Sequence, residues 1–257
     1  RKAGAFFMRR SFHNDELYKL TFQGYLFYLL KNKKIIEFFF EGGRSRTGKL
    51  LPPKYGLFSM LLEAHASLET KDPLLFIPIT LAHENLPEDK AHARELHGAK
   101  KVQEKPSQIL KIFSLFNRKL GTIDVRLHQP IKAGAFTDLK KRTQEISFEC
   151  FLAVGKGMPI TPSSLVAYIM LEASSGGLTW EDIKTRSIKI VNYAVKLNIP
   201  ISDSFLKGDQ LRATLRALNN FVDNNKITKL NESLIGEDVY IVEEKNLPFT
   251  LKVPNRT

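Results

Sequence analysis

The first half of the chain alternates between helical periods and short, continuous apolar runs. Apolar side chains recur at helical spacing over residues 14–30, 57–68 and 108–117. Runs rich in β-branched and aromatic residues lie at 35–40, 74–81 and 121–128. The first two runs are continuous, as is typical of strands buried on both faces, whereas residues 121–128 alternate between apolar and polar and predict a third strand. The alternation of these runs with helices predicts an α/β fold with a mostly parallel sheet flanked by helices.

Three features refine those elements. Asn14 is the expected N-cap of the first helix, because its side chain can accept a hydrogen bond from the first turn. Pro78 lies inside the second apolar run and has no N–H to donate, so that strand should lie at an edge or be bulged there. Residues 41–53 are polar, contain glycine and end in Pro52-Pro53, which predicts a loop.

The pattern changes near residue 137. Helical periods cover residues 140–154, 162–173, 179–197 and 210–220, and two short strand candidates follow at 227–229 and 239–242. We therefore predict one domain over residues 1–136 and a second over residues 137–257. The second should be mainly helical with a small β element.

Composition narrows the class of protein. With 257 residues, 43% of them apolar, the chain can bury a core and is neither collagen-like nor intrinsically disordered. The single Cys150 excludes an internal disulfide framework and a cysteine-based zinc site, and it fits a reducing compartment. No apolar run approaches the roughly 18 residues that a membrane-spanning helix needs. The formal charge of +12 attracts nucleic acid, anionic lipid headgroups or anionic substrates.

The most informative motif, FFFEGGRSRTGK, includes the end of the first predicted strand. Glu41 is followed by Gly42 and Gly43, whose backbone N–H groups can approach a ligand because no Cβ intervenes. In an extended chain alternate side chains share a face, so Arg44 and Arg46 can point to the same anion. Guanidinium groups bind phosphate bidentately, so the motif predicts a phosphate site.

A nucleotide-binding P-loop is the main alternative for these residues. Gly43 through Lys49 match the pattern G-x-x-x-x-G-K. The next residue is Leu50, where a P-loop needs Ser or Thr to hold Mg²⁺. Pro52-Pro53 also prevent the helix that would receive the phosphates. We therefore exclude NTP binding by this loop.

A second basic motif, GAFFMRRSF, lies at residues 4–12. Its adjacent arginines, Arg9 and Arg10, face opposite ways in an extended chain. At most one of them is therefore expected to reach a site shared with Arg44 and Arg46.

Together these motifs resemble those of bacterial glycerol-3-phosphate acyltransferases. GAFFMRRSF, EGGRSR and the apolar-proline segment Ile77-Pro78-Ile79 match three of the four blocks of that family, in order. The resemblance is strong over residues 1–136 and extends more weakly to the dihydroxyacetone-phosphate acyltransferases. It implies the glycerolipid acyltransferase fold.

The fourth block, an H-x-x-x-x-D catalytic pair, is absent. None of the six histidines is followed by aspartate five positions later, and His83 leads to Glu88 instead. The resemblance places the pair ahead of Arg1. We therefore expect a fragment that begins inside a domain, contains no catalytic residue and is inactive alone.

For the whole protein, the resemblance implies a general-base mechanism that needs no metal and no cofactor. The histidine takes a proton from the sn-1 hydroxyl of glycerol 3-phosphate, and the oxygen attacks the thioester of acyl-CoA or acyl-carrier protein. This is the first step of phospholipid synthesis. Arg44 and Arg46, with Arg9 or Arg10, would bind the phosphate.

The resemblance also assigns pocket residues. Glu41, Gly42 and Gly43 would shape the pocket around the glycerol hydroxyls. Ser45 would donate a hydrogen bond. The segment Ile77-Pro78-Ile79 would line the acyl channel or simply build the sheet.

Anionic substrates and an anionic membrane both fit the positive charge of the chain. We expect peripheral attachment to the cytoplasmic face of the cell (inner) membrane, with the anionic lipid surface as a partner.

Two alternatives stay open. Dihydroxyacetone phosphate could replace glycerol 3-phosphate as the acceptor. The carboxy-terminal helices and two strands could form a DNA-binding winged helix. However, the last helix carries only two cations, Arg212 and Arg216, and acidic residues surround it, so we expect no nucleic acid as a partner.

Overall fold

The computed structural model describes residues 4–9, 15–43, 45, 49–84, 121–173, 176–231 and 236–242. Contacts divide the chain into two compact units. The first unit comprises Arg1–Pro78 and His128–Val154, and the second comprises Ile79–Leu127 and Gly155–Thr257.

The first unit contains two helices and most of a third. The helical periods correctly predict α1 (Glu16–Lys31), α2 (Tyr55–Ala66) and α3 (Leu139–Gly157). The N-cap of α1 is Asp15, one residue after the predicted Asn14. The core of the unit includes the fully buried side chains Leu26, Phe58, Leu62 and Ile146.

The predicted strand over residues 35–40 is wrong, because residues 34–39 form neither helix nor strand. Alternate side chains of this segment, Phe38 and Phe40 among them, pack against the core, whereas those between them are exposed. The Phe38 ring meets the edge of the α2 residue Phe58 at 5.1 Å between centroids. Alternate apolar side chains of this run are thus partly buried by packing on one side, without a paired strand.

Pro78 divides the predicted second strand. β1 (Leu75–Phe76) ends before it and β2 (Ile79–His83) begins after it, because proline offers no N–H to a ladder. The predicted third strand is confirmed as β3 (Ile123–Leu127), which pairs with β2. β1 pairs with the two-residue strand β4 (Ile131–Lys132).

The mixed α/β class is confirmed, but a parallel sheet is not shown. Both ladders are antiparallel. β2 buries Thr80 and Ala82 and exposes Ile79 and Leu81. Such one-sided burial is common in antiparallel sheets, whereas the unbroken apolar run had indicated burial on both faces.

The remainder of the second unit is mainly helical, as predicted. Its helices are α4 (Pro162–Glu172), α5 (Trp180–Lys196), α6 (Asp203–Leu206) and α7 (Gln210–Asp223). An antiparallel sheet in the order β5-β7-β6 contains β5 (Leu178–Thr179), β6 (Thr228–Leu230) and β7 (Val239–Ile241). The hydrophobic pattern predicted β6 and β7. It did not predict β5 and α6, because elements of two and four residues are too short to show a periodic spacing.

Side-chain caps begin the three longer helices of this region. The hydroxyl of Thr161 accepts a hydrogen bond from the backbone N–H of Ser164 at 3.2 Å, and Thr179 accepts one from Asp182 at 3.2 Å. Asp209 caps α7 in the same way. These caps satisfy N–H groups of the first turn that have no partner within the helix.

Two predictions stay as they were. The predicted helix over residues 108–117 lies outside the described residues, and the domain boundary between residues 136 and 137 stays a prediction. Among the described helices, none is long and apolar enough to cross a bilayer.

Candidate functional site

The loop that carries the EGGRSR motif, residues 41–53, is closed at its base by two hydrogen bonds. The backbone N–H of Lys54 donates to the carbonyl of Phe40 at 2.8 Å. The backbone N–H of Leu51 donates to Oε2 of Glu41 at 2.7 Å. Glu41 therefore holds Leu51 on the returning side of the loop. We call residues 41–53 the arginine loop.

The two glycines of the arginine loop have different requirements. Gly42 has a φ of +65°, and its N–H donates to the carbonyl of Phe39 at 3.1 Å. A Cβ on Gly42 would lie 2.9 Å from Cγ of Lys54, so a side chain is excluded by strain and by space. No described atom lies within 4 Å of the position of a Cβ on Gly43. Gly42 thus shapes the turn, and Gly43 leaves the loop open on that side.

Arg9 is held by neighbours within the first unit. Its Nη1 lies 2.5 Å from Oδ2 of Asp15, and its guanidinium carbon lies 4.7 Å from the ring centre of Tyr18. Its backbone N–H also donates to the Tyr18 hydroxyl at 3.0 Å. Of the four predicted phosphate-binding arginines, Arg9 is the one within the described residues.

Four further residues of the two basic motifs were predicted to bind the acceptor, and the structure describes one of them. Arg10, Arg44 and Arg46 lie outside the described residues, so their roles stay predictions. Ser45 is described and half-buried.

The apolar-proline segment mixes burial and exposure. Pro78 is buried, and its carbonyl accepts a hydrogen bond from the backbone N–H of His128 at 3.0 Å. Ile77 and Ile79 are exposed. Pro78 therefore has a structural role, whereas the two isoleucines present apolar side chains to solvent.

Sequence reasoning missed a pocket of about 400 Å³ in the second unit, lined in part by Asp124, Arg126 and Ser204. Its polar groups are already paired. Oδ1 of Asp124 accepts from the N–H of Asp203 at 3.1 Å, and Nη2 of Arg126 donates to the carbonyl of Ile201 at 2.6 Å. These bonds connect β3 to the residues around the start of α6. In the sequence, only the alternation of residues 123–127 indicated that Asp124 and Arg126 share one face of the strand.

The described part of the chain contains no cluster of three or more His, Cys, Asp and Glu arranged to hold a metal ion. The arginine loop offers backbone N–H groups, the carboxylate of Glu41 and, by sequence, two guanidinium groups.

Two families match the chain in succession. Residues 1–82 match the family described as Acyltransferase. Residues 92–250 match the family described as Glycerol-3-phosphate acyltransferase C-terminal region.

Three similar curated proteins share one name. A protein of Pseudomonas fluorescens Pf-5, named glycerol-3-phosphate acyltransferase, is 36% identical over 97% of this chain and 32% of its own length. A protein of the same name from Pseudomonas fluorescens Pf0-1 is 27% identical over the same shares. One from Pseudomonas putida GB-1 is 36% identical over 54% of this chain and 16% of its own length. The chain thus spans about a third of the length of the relatives that it matches almost entirely, and it belongs to the glycerol-3-phosphate acyltransferase family.

Proposed function

We propose that this chain is the acceptor-binding part of a glycerol-3-phosphate O-acyltransferase. The reaction transfers an acyl group from acyl-CoA or acyl-carrier protein to the sn-1 hydroxyl of glycerol 3-phosphate, the first step of phospholipid synthesis. The observation that carries the proposal is the arginine loop. In a chain of this family, EGGRSR stands in a loop whose two ends are tied together by Glu41 and by the Phe40–Lys54 hydrogen bond.

The acceptor phosphate is bound by Arg44, Arg46 and one arginine of the amino-terminal motif. Of that pair we assign Arg10, because the guanidinium of Arg9 is already held by Asp15 and Tyr18. The closed base of the arginine loop supports the roles of Arg44 and Arg46, since a loop tied at both ends loses less conformational freedom when a ligand binds.

The remaining loop residues shape the space around the glycerol. Glu41 acts by holding Leu51, and Gly43 leaves room for the polyol. Gly42 sets the turn, and Ser45 donates one hydrogen bond to the acceptor. The exposed side chains of Ile77 and Ile79 contact the acyl chain of the donor.

We propose that the catalytic base comes from outside this sequence, since no histidine here has an aspartate five positions later. The base removes the proton of the sn-1 hydroxyl, the oxygen forms a bond to the thioester carbon, and the C–S bond breaks. The thiolate leaves and takes up a proton. This chain positions the acceptor and supplies positive charge to its phosphate, and it takes no part in the proton transfer.

The positive charge of the chain supports peripheral binding to the cytoplasmic face of the inner membrane. Anionic lipids attract basic surfaces, and the acylated product partitions into the bilayer. We also propose the division into domains 1–136 and 137–257, because the hydrophobic pattern changes there.

The winged-helix alternative gains no support from charge in the described residues. β6 and β7 pair as such a wing requires, but Lys229 of β6 is neutralised by Asp238 at 2.6 Å. The buried face of α7 leaves Arg212 and Arg216 outward, which is too few cations for a nucleic-acid reader.

Steady-state kinetics of the complete gene product test the function. Arg44→Ala should raise the KM for glycerol 3-phosphate about 10- to 150-fold, because a charge-assisted bond of about 1.5–3 kcal/mol is lost. The donor KM should change less than twofold. The control Arg216→Ala removes an exposed arginine of α7 and should change neither.

Equal losses for both substrates, or an equal effect of Arg216→Ala, would contradict the proposal. Faster acylation of dihydroxyacetone phosphate than of glycerol 3-phosphate would assign the alternative acceptor instead.

A further inference from the structure

α1 is apolar on two opposite sides. Phe22 and Leu26 point into the core of the first unit. Leu17, Leu20 and Tyr28 lie on the opposite side and are exposed, and the exposed Tyr25 lies between the two sides. We call these four residues the outer face of α1. A helix at a protein surface normally presents polar side chains opposite its buried face, so the apolar outer face calls for a partner.

The outer face continues into the amino-terminal segment. The Phe6 ring meets the edge of the Tyr25 ring at 5.3 Å between centroids, and Tyr25 stacks on Tyr28 at 6.5 Å. Phe7, next to Phe6, is almost fully exposed. From Leu17 to Tyr28 the helix alone spans about 17 Å. A continuous apolar surface of this extent marks an interaction site, whereas single exposed apolar residues do not.

Cations gather at the carboxyl end of the same helix. Lys31, Lys33 and Lys34 follow the outer face directly, and Glu37 is the next acid along the chain. Lys31 and Lys34 form no ion pair with another described residue, and Lys33 has an exposed one with Asp72 at 2.8 Å. An exposed pair of this kind is weak and is readily exchanged.

The acids at the other end of α1 are already paired. Asp15 binds Arg9, and Glu16 lies 3.7 Å from Lys19. The outer face therefore begins beside paired charges of both signs and ends beside a cluster of lysines. This distribution is complementary to an anionic surface.

The backbone of Lys33 has a conformation that is uncommon for a lysine. Its φ is +52°, a left-handed conformation in which glycine is favoured. The other two described non-glycine residues with positive φ are Asn198 and Asn225, and asparagine tolerates this region. This conformation ends α1, because the backbone N–H of Lys33 donates to the carbonyl of Leu30 at 2.9 Å and that of Lys34 donates to the carbonyl of Leu29 at 2.9 Å.

We propose that the outer face of α1 lies on an anionic lipid bilayer, with Lys31, Lys33 and Lys34 at the headgroups. Leucine and aromatic side chains enter the boundary between headgroups and acyl chains, and the tyrosine hydroxyls stay hydrated. The lysines then add electrostatic attraction. The choice of a bilayer over another protein rests on the proposed function, whose product is a lipid.

Co-sedimentation of the 257-residue chain with vesicles tests this surface. One set of vesicles is an equimolar mixture of phosphatidylcholine and phosphatidylglycerol, and the other is phosphatidylcholine alone. The double variant Leu17→Ser/Tyr28→Ser should lower partitioning to the anionic vesicles at least tenfold, because two apolar side chains no longer enter the bilayer.

The chain offers a closely matched control. Leu206→Ser/Tyr168→Ser changes the same residue types in the second unit, at 64% and 57% exposure against 76% and 58% for Leu17 and Tyr28. This control should change partitioning less than twofold. Lys31→Ala/Lys34→Ala should lower anionic binding about 25-fold, at about fivefold per lysine, and leave neutral vesicles unaffected.

Three results would overturn the inference. The chain could fail to bind anionic vesicles, the control could lose as much as the α1 variant, or the α1 variant could instead dissociate a dimer, as measured by sedimentation equilibrium. Protection of the Cys150 thiol from alkylation checks that the variant is folded. A titration with glycerol 3-phosphate separates the two proposals. Lost vesicle binding with intact ligand binding confirms the surface, whereas normal vesicle binding without ligand binding overturns only the proposed function.

Discussion

α1 and α7 are predicted equally well from the spacing of apolar residues, yet they use their surfaces differently. α7 begins at a side-chain cap and buries a single face that includes Ala213 and Leu218. α1 buries one face and exposes a second apolar face. α7 is thus explained by packing within its unit, whereas α1 carries more apolar surface than its unit can cover. Departures of this kind from local consistency are expected where a protein binds other molecules.

The two units can be followed separately because each contains a unique probe. Cys150, the only cysteine, is buried in the core of the first unit. Burial, and to a lesser extent the neighbouring charge of Glu149, raises the pKa of its thiol to about 12. The thiolate is therefore scarce at pH 8, and alkylation should require unfolding. Trp180, the only tryptophan, packs against the core of the second unit.

The largest expected effect is on the core of the first unit. Phe58→Ala removes a fully buried ring that contacts Phe38 and Phe76, and should lower the free energy of unfolding by about 3–5 kcal/mol. Phe39→Ala removes an exposed ring of the same apolar segment and should cost less than about 0.5 kcal/mol. Cys150 alkylation across a urea series measures both. Equal losses would show that exposure does not separate the two faces of this segment.

The second prediction concerns the two adjacent arginines. Arg10→Ala should weaken binding of glycerol 3-phosphate at least tenfold, because a charge-assisted hydrogen bond to the phosphate is lost. Arg9→Ala should change it less than twofold, since Asp15 already holds that guanidinium. Isothermal titration measures both affinities. The reverse order would show that Arg9 leaves Asp15 for the ligand.

Glycines in the two units should respond in opposite directions. Gly121 has a φ of +78°, and its Cβ would lie 2.6 Å from Oε2 of the mostly buried Glu84. Gly121→Ala should therefore destabilise the second unit by about 1–3 kcal/mol. Gly24 lies on the exposed side of α1 with open space around it, so Gly24→Ala should stabilise the first unit by about 0.5–1 kcal/mol.

Trp180 fluorescence reports the Gly121 variant and Cys150 alkylation reports the Gly24 variant. A neutral Gly121→Ala would mean that the backbone turn and Glu84 relax without cost, contrary to the tight contact described.

A modest effect is expected at the cap of α5. Thr179→Ala should cost about 1 kcal/mol at pH 7. Hydrogen bonds from the backbone N–H of Thr179, and then from its side chain, lower the pKa of Asp182. The stability that this carboxylate contributes is fully present above its unfolded pKa of about 3.9 and is lost as the pH falls through the lower folded value.

Urea denaturation followed by Trp180 fluorescence between pH 7 and pH 2 measures this dependence. Asp182→Ala should flatten the acid limb of the profile. If the acid part of the profile is unchanged, the reciprocal hydrogen bonds between Thr179 and Asp182 contribute nothing to stability against acid.

Periodicity in the sequence predicted the described long helices because burial of one face leaves a regular signal. It failed at residues 35–40, since a run of apolar residues gives no information about whether a strand partner is present. Pro78 was a sound signal, because a missing N–H acts locally whatever the surrounding fold. The ion pair between Arg9 and Asp15 could not be predicted, because it joins an irregular segment to a helix cap with no repeating spacing.

The candidate site shows the same limit. EGGRSR identified the arginine loop and the family, since glycines and paired arginines have few other uses together. The closure of that loop by Glu41 and Leu51 depends on distances across ten residues of irregular chain, which no local pattern encodes.

Equilibrium titration of this chain with sn-glycerol 3-phosphate, with glycerol as the reference ligand, tests the phosphate site most directly. We predict that glycerol 3-phosphate binds at least tenfold more tightly than glycerol, that Arg44→Ala/Arg46→Ala removes this preference, and that Arg216→Ala keeps it. The same preference for the phosphorylated ligand in the double variant would contradict the account.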